Sequence, residues 1–189
     1  MSKLLVMLAK GFEEVEALTV VDYLRRSGLE VVMVSITDDK LIQGSHGIKV
    51  MADLTMDELR DVSNYRGIII PGGMGGATAL RDNSTVIELV QEFYKQNKLI
   101  AAICAGPIVL GKAGILFNKS ATCYPGFGSQ LGASKLKEDI VVKDGNIITS
   151  RGPATTVYFA LKIIEHLQGE DRKREIKKAI LLDIVEDQI

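Results

Sequence analysis

The residues of this chain with chemical potential gather around one cysteine. Cys104 lies in LIAAICAGPIVLGKAG (99–114), where five apolar residues run into the thiol, Ala-Gly-Pro follows, and a second apolar pattern begins. This places the side chain on a strand-to-helix turn, the setting of a nucleophile elbow, although the G-x-S-x-G spelling is absent. Small neighbours at Ala102, Ala105 and Gly106 let such a turn close. Amides and the dipole at the start of the next helix would favour thiolate over thiol, so a depressed pKa is expected. The competing reading is a small buried hydrophobe, which free cysteine often is.

Two other segments supply groups for such a thiol. GIIIPGGMGG (67–76) is an apolar strand that breaks into a glycine-rich turn. Its exposed N–H groups, together with the Ala105 amide, would form an oxyanion hole beside the sulfur. A plain turn needing positive φ, or a phosphate-binding loop, explains the same residues. No Lys-Ser/Thr follows to make a Walker motif, and the first strand ends in AKGFEE rather than G-x-G-x-x-G. KGFEEVE (10–16) sets three carboxylates at the end of that strand. Acidic residues at a helix N-terminus need no catalytic role. A carboxyl beside a thiolate differs: like charge raises its pKa, so it can stay protonated, donate to the sulfur and shuttle a proton. Helical spacing does not choose among Glu13, Glu14 and Glu16.

His46, Cys104, Cys123 and His166 are scattered without metal-ligand spacing, so no metal is expected. His46 sits on a hairpin tip and would reach a site only across a dimer. His166, late in a helix, reads as a surface residue whose charge suits the dipole. Cys123 reads as a small buried residue near the site, its rival role being a resolving thiol for oxidised Cys104. Arg151 is expected to pair with an acidic side chain.

The elements that must position these groups alternate. KLLVMLA (3–9), EVVMVSI (30–36), GIIIPGG (67–73) and LIAAI (99–103) are continuous apolar runs, as strands buried on both faces require. EVEALTVVDYLRRSG (14–28) reads as a helix, with Ala17, Val20, Val21 and Leu24 on one stripe and Gly28 as its stop. KLIQGSHGIKVMADL (40–54) reads as a hairpin, and Thr55 with Glu58 opens TMDELRDV (55–62) as a capping box. A helix over 84–97 is expected to be capped by Ser84. IVVKDGNIITS (140–150) reads as a hairpin with a type I′ turn at Asp144-Gly145, and a helix over 151–169 closes the core with Pro153 in its first turn. The alternation predicts one α/β domain over 1–189 with a mostly parallel sheet, whose ligands bind beyond the carboxyl ends of the strands.

At 189 residues, 47% hydrophobic and 25% charged, the chain can bury a sizeable core. A net charge of −1 gives no broad basic face, so no nucleic-acid partner is expected. The mixed-charge tail GEDRKREIKK (169–178) reads as a solvated helix face. No apolar run reaches membrane-spanning length, and the opening apolar run is too short and too soon acidic for a signal peptide, so no membrane partner and a cytoplasmic location are expected. Two cysteines there are expected to be free thiols.

LAKGFEEVEA, IIIPGG, IAAICAGP and ITSRGP stand in the order and spacing of the ThiJ/PfpI superfamily, and the chain most resembles its DJ-one-like, parkinsonism-associated deglycase branch. The resemblance runs from about residue 3 to the 170s. It implies a flavodoxin-like three-layer α/β sandwich, akin to class I glutamine amidotransferases, and a homodimer without cofactor. It assigns Cys104 as the reactive cysteine, Glu16 as the glutamate that hydrogen-bonds it, and Gly73 and Ala105 as backbone donors around the sulfur. Glyoxalase action on methylglyoxal, repair of early glycation adducts, and oxidation of the cysteine to a sulfinate with sensing or chaperone roles are attributed to this branch. Many relatives carry a histidine about twenty residues after the cysteine; here ATCYPGF (121–127) offers Tyr124 as a third position. A phenol with a pKa near 10 is a poor base at neutral pH, so a Cys-His protease mechanism is not expected.

The expectation is therefore a cysteine-dependent enzyme on small α-oxoaldehydes or their glycation adducts. Its alternatives are a non-catalytic redox sensor or chaperone, and an inactive amidotransferase-like binding module.

Overall fold

The computed structural model describes residues 3–133 and 135–188. Strand β1 (Lys3–Leu8) leads into α1 (Glu14–Arg26) and β2 (Glu30–Ser35), followed by the hairpin β3 (Leu41–Gln43) and β4 (Lys49–Met51) and the short β5 (Leu54–Thr55). Then come β6 (Tyr65–Ile70), α2 (Met74–Arg81), α3 (Ser84–Lys95), β7 (Leu99–Ile103) and α4 (Pro107–Lys112). The short β8 (Ser120–Ala121) and β9 (Lys135–Leu136) pair with each other. The chain finishes with β10 (Val141–Asp144), β11 (Ile147–Ser150), α5 (Thr156–Gln168), α6 (Glu170–Ala179) and α7 (Leu182–Glu186).

The main sheet has seven strands in the order β10-β11-β7-β6-β1-β2-β5. All neighbours are parallel except the β10–β11 hairpin. The central strands β1, β6 and β7 are largely apolar because both faces are covered. Leu4, Val6 and Leu8 of β1 point into one core with α1, α5 and the tail helices, while Leu5 and Met7 point into the other with α2, α3 and α4. Alternate residues of β7 divide in the same way. The result is a three-layer α/β/α sandwich. Since β1, β6 and β7 are adjacent and parallel, the loops after Leu8, Ile70 and Ile103 emerge side by side at one edge.

Four local expectations need correction. The glycine-rich run after β6 holds a helix, α2, in place of an open turn. Gly75 and Gly76 lower its propensity, yet a Cβ at Gly76 would come within 2.8 Å of the Phe12 backbone, so close approach to the loop after β1 selects glycine. Asn83, not Ser84, caps α3, accepting the Val86 amide at 3.1 Å. The capping box of Thr55 and Glu58 is present, the Thr55 amide donating to Glu58 at 2.9 Å, but it opens only a single 3₁₀ turn (Met56–Glu58). The second hairpin turns on Gly145-Asn146, where Gly145 has φ +64° and Asn146 does not share it, the glycine-first pattern of a type II′ turn.

Candidate active site

The turn after β7 is strained at one residue. Cys104 has φ +63°, a left-handed conformation that costs a non-glycine residue about 1–3 kcal/mol. Backbone bonds on both sides hold it. The Cys104 amide donates to the Ser150 carbonyl at 3.0 Å, and the Tyr124 amide donates to the Cys104 carbonyl at 2.9 Å. At about 1 kcal/mol net apiece, these bonds are of the size needed to offset the strain. Gly106 completes the turn, because a Cβ there would meet the Ile70 carbonyl oxygen at 2.6 Å. The thiol is thereby aimed away from the sheet, half-buried.

Of the three carboxylates at the end of β1, the structure brings Glu16 to the sulfur. Its side chain is buried, its Oε2 accepts the Gly72 amide at 2.7 Å, and its carboxyl hydrogen-bonds Cys104. Gly72 is the spacer: a Cβ on it would lie 2.5 Å from Glu16 Oε2 and 3.0 Å from Cys104 Sγ. Glu16 Oε1 is buried without a hydrogen-bond partner. The Gly73 and Ala105 amides both hydrogen-bond the sulfur. Gly73 has φ +81° and caps α2; a Cβ there would collide with the Gly11 oxygen at 2.3 Å and the Glu13 amide at 2.5 Å.

The electrostatics correct the expected thiol. Burial, then the charge and hydrogen bond of Glu16, push Cys104 up to about 12, against the pull of the Ala105 and Gly73 amides. Helix α4 does not supply the expected counterweight. It has six residues and starts at Pro107, which has no N–H to offer. Burial also pushes Glu16 up to about 7, despite its bonds to Cys104 and the Gly72 amide. Neither environment tolerates two adjacent charges, so the pair shares protons as a unit. The thiolate forms at neutral pH only while Glu16 carries the proton, which removes the opposing charge and turns the carboxyl into a donor.

Above the pair opens a cleft of about 700 Å³, lined by Cys104, Gly73, Ala105, Tyr124, Glu13 and His46, with apolar walls from Val15, Met74, Phe127 and Pro153. Tyr124 stands on this wall half-exposed, its ring 3.3 Å from where a Cβ on Gly152 would be. His46 is the residue that chain spacing misplaced. It lies on the loop between β3 and β4 and lines the cleft of its own protomer, with no partner subunit required. Its Nδ1 is 3.1 Å from Glu14 Oε2. Burial pushes Glu14 up, but its own amide, the His46 and Ile48 amides and the His46 ring outweigh this and bring it down to about 2. Side-chain oxygens of the neighbouring Glu13 and Glu14 and a ring nitrogen of His46, distant in sequence, all lie within 4.8 Å of one another.

The other residues lie off the cleft. His166 is half-buried, and burial with Lys143 and Arg66 nearby pushes it below the ordinary histidine range, against the charged surface role expected. Cys123 is buried, and both cysteines are free thiols. Burial pushes the Cys123 thiol up, opposed by the charge of Arg151, which makes no ion pair among the described residues. A second groove of about 720 Å³ beneath α6 equals the cleft in size but is walled by lysines already paired with carboxylates, such as Lys177 with Asp183 at 2.9 Å and Glu186 at 2.7 Å. Among the described residues that line it there is no cysteine, serine, threonine or histidine.

Fold and site together define an α/β-sandwich protein of the class I glutamine amidotransferase-like architecture, with a cysteine on a strained elbow at the carboxyl edge of its sheet. Residues 2–166 match the model of the DJ-1/PfpI family, and the chain belongs to that family. It is 39% identical over 180 residues to the protein dj-1beta of Drosophila melanogaster, covering 94% of this chain and 96% of that one. It is 36% identical over 181 residues to the Parkinson disease protein 7 homolog of Danio rerio, with coverage of 94% and 96%. The structure of oxidized Toxoplasma gondii DJ-1 superposes with a TM-score of 0.91 at 38% identity, over 96% of this chain and 98% of that one. Among the described residues no helix is long and apolar enough to cross a membrane.

Proposed function

We propose that this protein is a cofactor-independent enzyme acting on reactive α-oxoaldehydes or their early glycation adducts, working as a cytoplasmic homodimer of single-domain chains. The observation that carries this reading is the Cys104 sulfur held between the Glu16 carboxyl and the Gly73 and Ala105 amides at the floor of an open cleft. The thiolate adds to the aldehyde carbon, giving a hemithioacetal whose oxygen the two amides steady. Glu16, protonated while the thiolate forms, passes that proton to the new oxygen, and the carboxylate left behind accepts the proton from the carbon and returns it to the neighbouring one. Water then releases the hydroxy acid from the thioester. The same addition serves the release of a glycated amine. Lactate formation from methylglyoxal tests this: the wild type should turn over and Cys104→Ala should be inert. Equal turnover by Cys104→Ala would remove the assignment.

A second reading, a sensor in which peroxide oxidises Cys104 to the sulfinate, is favoured by the relative from Toxoplasma gondii, whose structure is of its oxidized form. It predicts that Cys104 oxidises well before the buried Cys123. Equal rates of modification by mass spectrometry would count against it.

A further inference from the structure

The rearrangement of a hemithioacetal moves two protons, and one carboxyl accounts for only one of them. The carbon-bound proton passes from C1 to C2, and the oxygen-bound proton passes from O1 to O2. C1 is oxidised to a thioester as C2 is reduced to an alcohol, so no external oxidant enters. Water then cleaves the C–S bond, giving the hydroxy acid and the free thiol. Glu16, beneath the substrate, serves the carbon. The remaining titratable side chains on the cleft are Glu13, Tyr124 and His46. Of these side-chain types the imidazole is the one that ordinarily both gives and accepts a proton in the neutral range.

We propose that His46 is a second proton-transfer residue of this enzyme, moving the oxygen-bound proton of the hemithioacetal from O1 to O2 through its Nε2. The inference rests on the reading of Cys104 and Glu16 above. The two oxygens sit on neighbouring carbons, so one ring nitrogen serves both. Nδ1 is occupied by Glu14 Oε2 at 3.1 Å and by Ser45 Oγ at 3.0 Å, and Nε2 has no partner among the described residues. Glu14 is anchored by the His46 amide at 2.8 Å and the Ile48 amide at 3.3 Å, so an ionised carboxylate fixes the ring with its proton on Nδ1. The groups facing the imidazole are Glu14 and Glu13 from the start of α1, the latter at 3.5 Å, Ser45 beside it, and the Cys104–Glu16 pair and Tyr124 on the cleft. The Glu14 hydrogen bond, then the charges of Glu13 and Glu14, raise the imidazole pKa above its ordinary value and keep a proton available.

The test compares wild type, His46→Gln, His46→Ala and Cys104→Ala for lactate formation from methylglyoxal across the neutral pH range, alongside the iodoacetamide alkylation rate of Cys104. His46 is 69% exposed, so neither replacement removes core packing. In His46→Gln, kcat should fall about a hundredfold and lose one titration step, while alkylation stays within about twofold of wild type. Added imidazole should restore turnover to His46→Ala. Wild-type kcat in His46→Gln, with Cys104→Ala inert, overturns the role of His46 and leaves Cys104 and Glu16 standing. A parallel fall in turnover and alkylation overturns it too, since His46 would then only shape the cleft. Absence of lactate with the wild type removes the reading of the site, and this inference with it.

Discussion

Glu14 and Glu16 stand two residues apart on one helix and are about equally buried, at 3% and 1% exposure, yet their proton affinities diverge, to about 2 and about 7. Burial opposes charge at both. Glu16 is set deeper among protein atoms, where the penalty is greater, and the two differ in partners as well. Glu14 faces the β3–β4 loop and collects the His46 and Ile48 amides, the Ser45 hydroxyl and an imidazole. Glu16 faces the elbow, accepts one amide, shares a hydrogen bond with a thiol and leaves Oε1 with no partner. A helical step of two residues turns side chains to nearly opposite sides, so one first turn carries a permanently charged anchor outward and a proton carrier inward. Depth and satisfied hydrogen bonds together decide which of the two carboxylates keeps its charge.

The largest expected effect comes from removing the proton carrier. Glu16→Gln should cut turnover roughly 10²–10⁴-fold, and absorbance titration of the thiolate should place Cys104 below its wild-type value of about 12, because the facing charge is gone. If the thiol does not move, the pair is not coupled. The turn that seats both carboxylates comes next. Gly73→Ala puts a Cβ onto the Gly11 oxygen at positive φ and should cost about 3 kcal/mol in denaturant unfolding, whereas Gly28→Ala, at φ +83° in open space, should cost only about 1 kcal/mol.

Removing the anchor strands two amides: Glu14→Ala should lower stability by about 2–4 kcal/mol. The pH profiles of stability should mirror each other. Glu14 has a folded value below its ordinary 4.5, so its contribution is present above that value and is lost as pH falls through about 2. Glu16 has a folded value above 4.5, so stability is greatest below that value and declines as pH rises through about 7. Urea unfolding against pH should lose the acid limb in Glu14→Gln and the neutral decline in Glu16→Gln; identical profiles would erase the contrast. The smallest effect isolates backbone strain. Cys104→Gly should exceed Cys104→Ala in stability by about 0.5–1 kcal/mol, because only glycine adopts φ +63° without penalty.

Much of this was legible along the chain. Apolar runs marked β1, β2, β6 and β7, the 3.6-residue stripe marked α1, and the seam at Cys104 marked the elbow, because each signal is local. Helix α2 was hidden, since Gly73, Gly75 and Gly76 read as a loop until the Gly11–Phe12 backbone is seen pressing on them. The cap at Asn83 sat one residue from an equally plausible serine. Within the site, spacing alone left three glutamates equivalent, and family resemblance was needed to name Glu16.

By itself, then, the sequence determined the alternation of buried strands and amphipathic helices, and hence a sandwich with its loops at one edge, because burial and periodicity act over a few residues at a time. Tertiary structure alone decided the chemistry of the side chains at that edge. It set the thiol high rather than low, since the proton equilibrium of Cys104 depends on a carboxyl 88 positions away and on a helix that begins with proline. It also carried His46 from a hairpin tip into the cleft, since Glu14, 32 positions earlier, is the group that holds it there. Electrostatic and hydrogen-bond energies follow distance in space, and no reading of neighbours in the chain contains that distance.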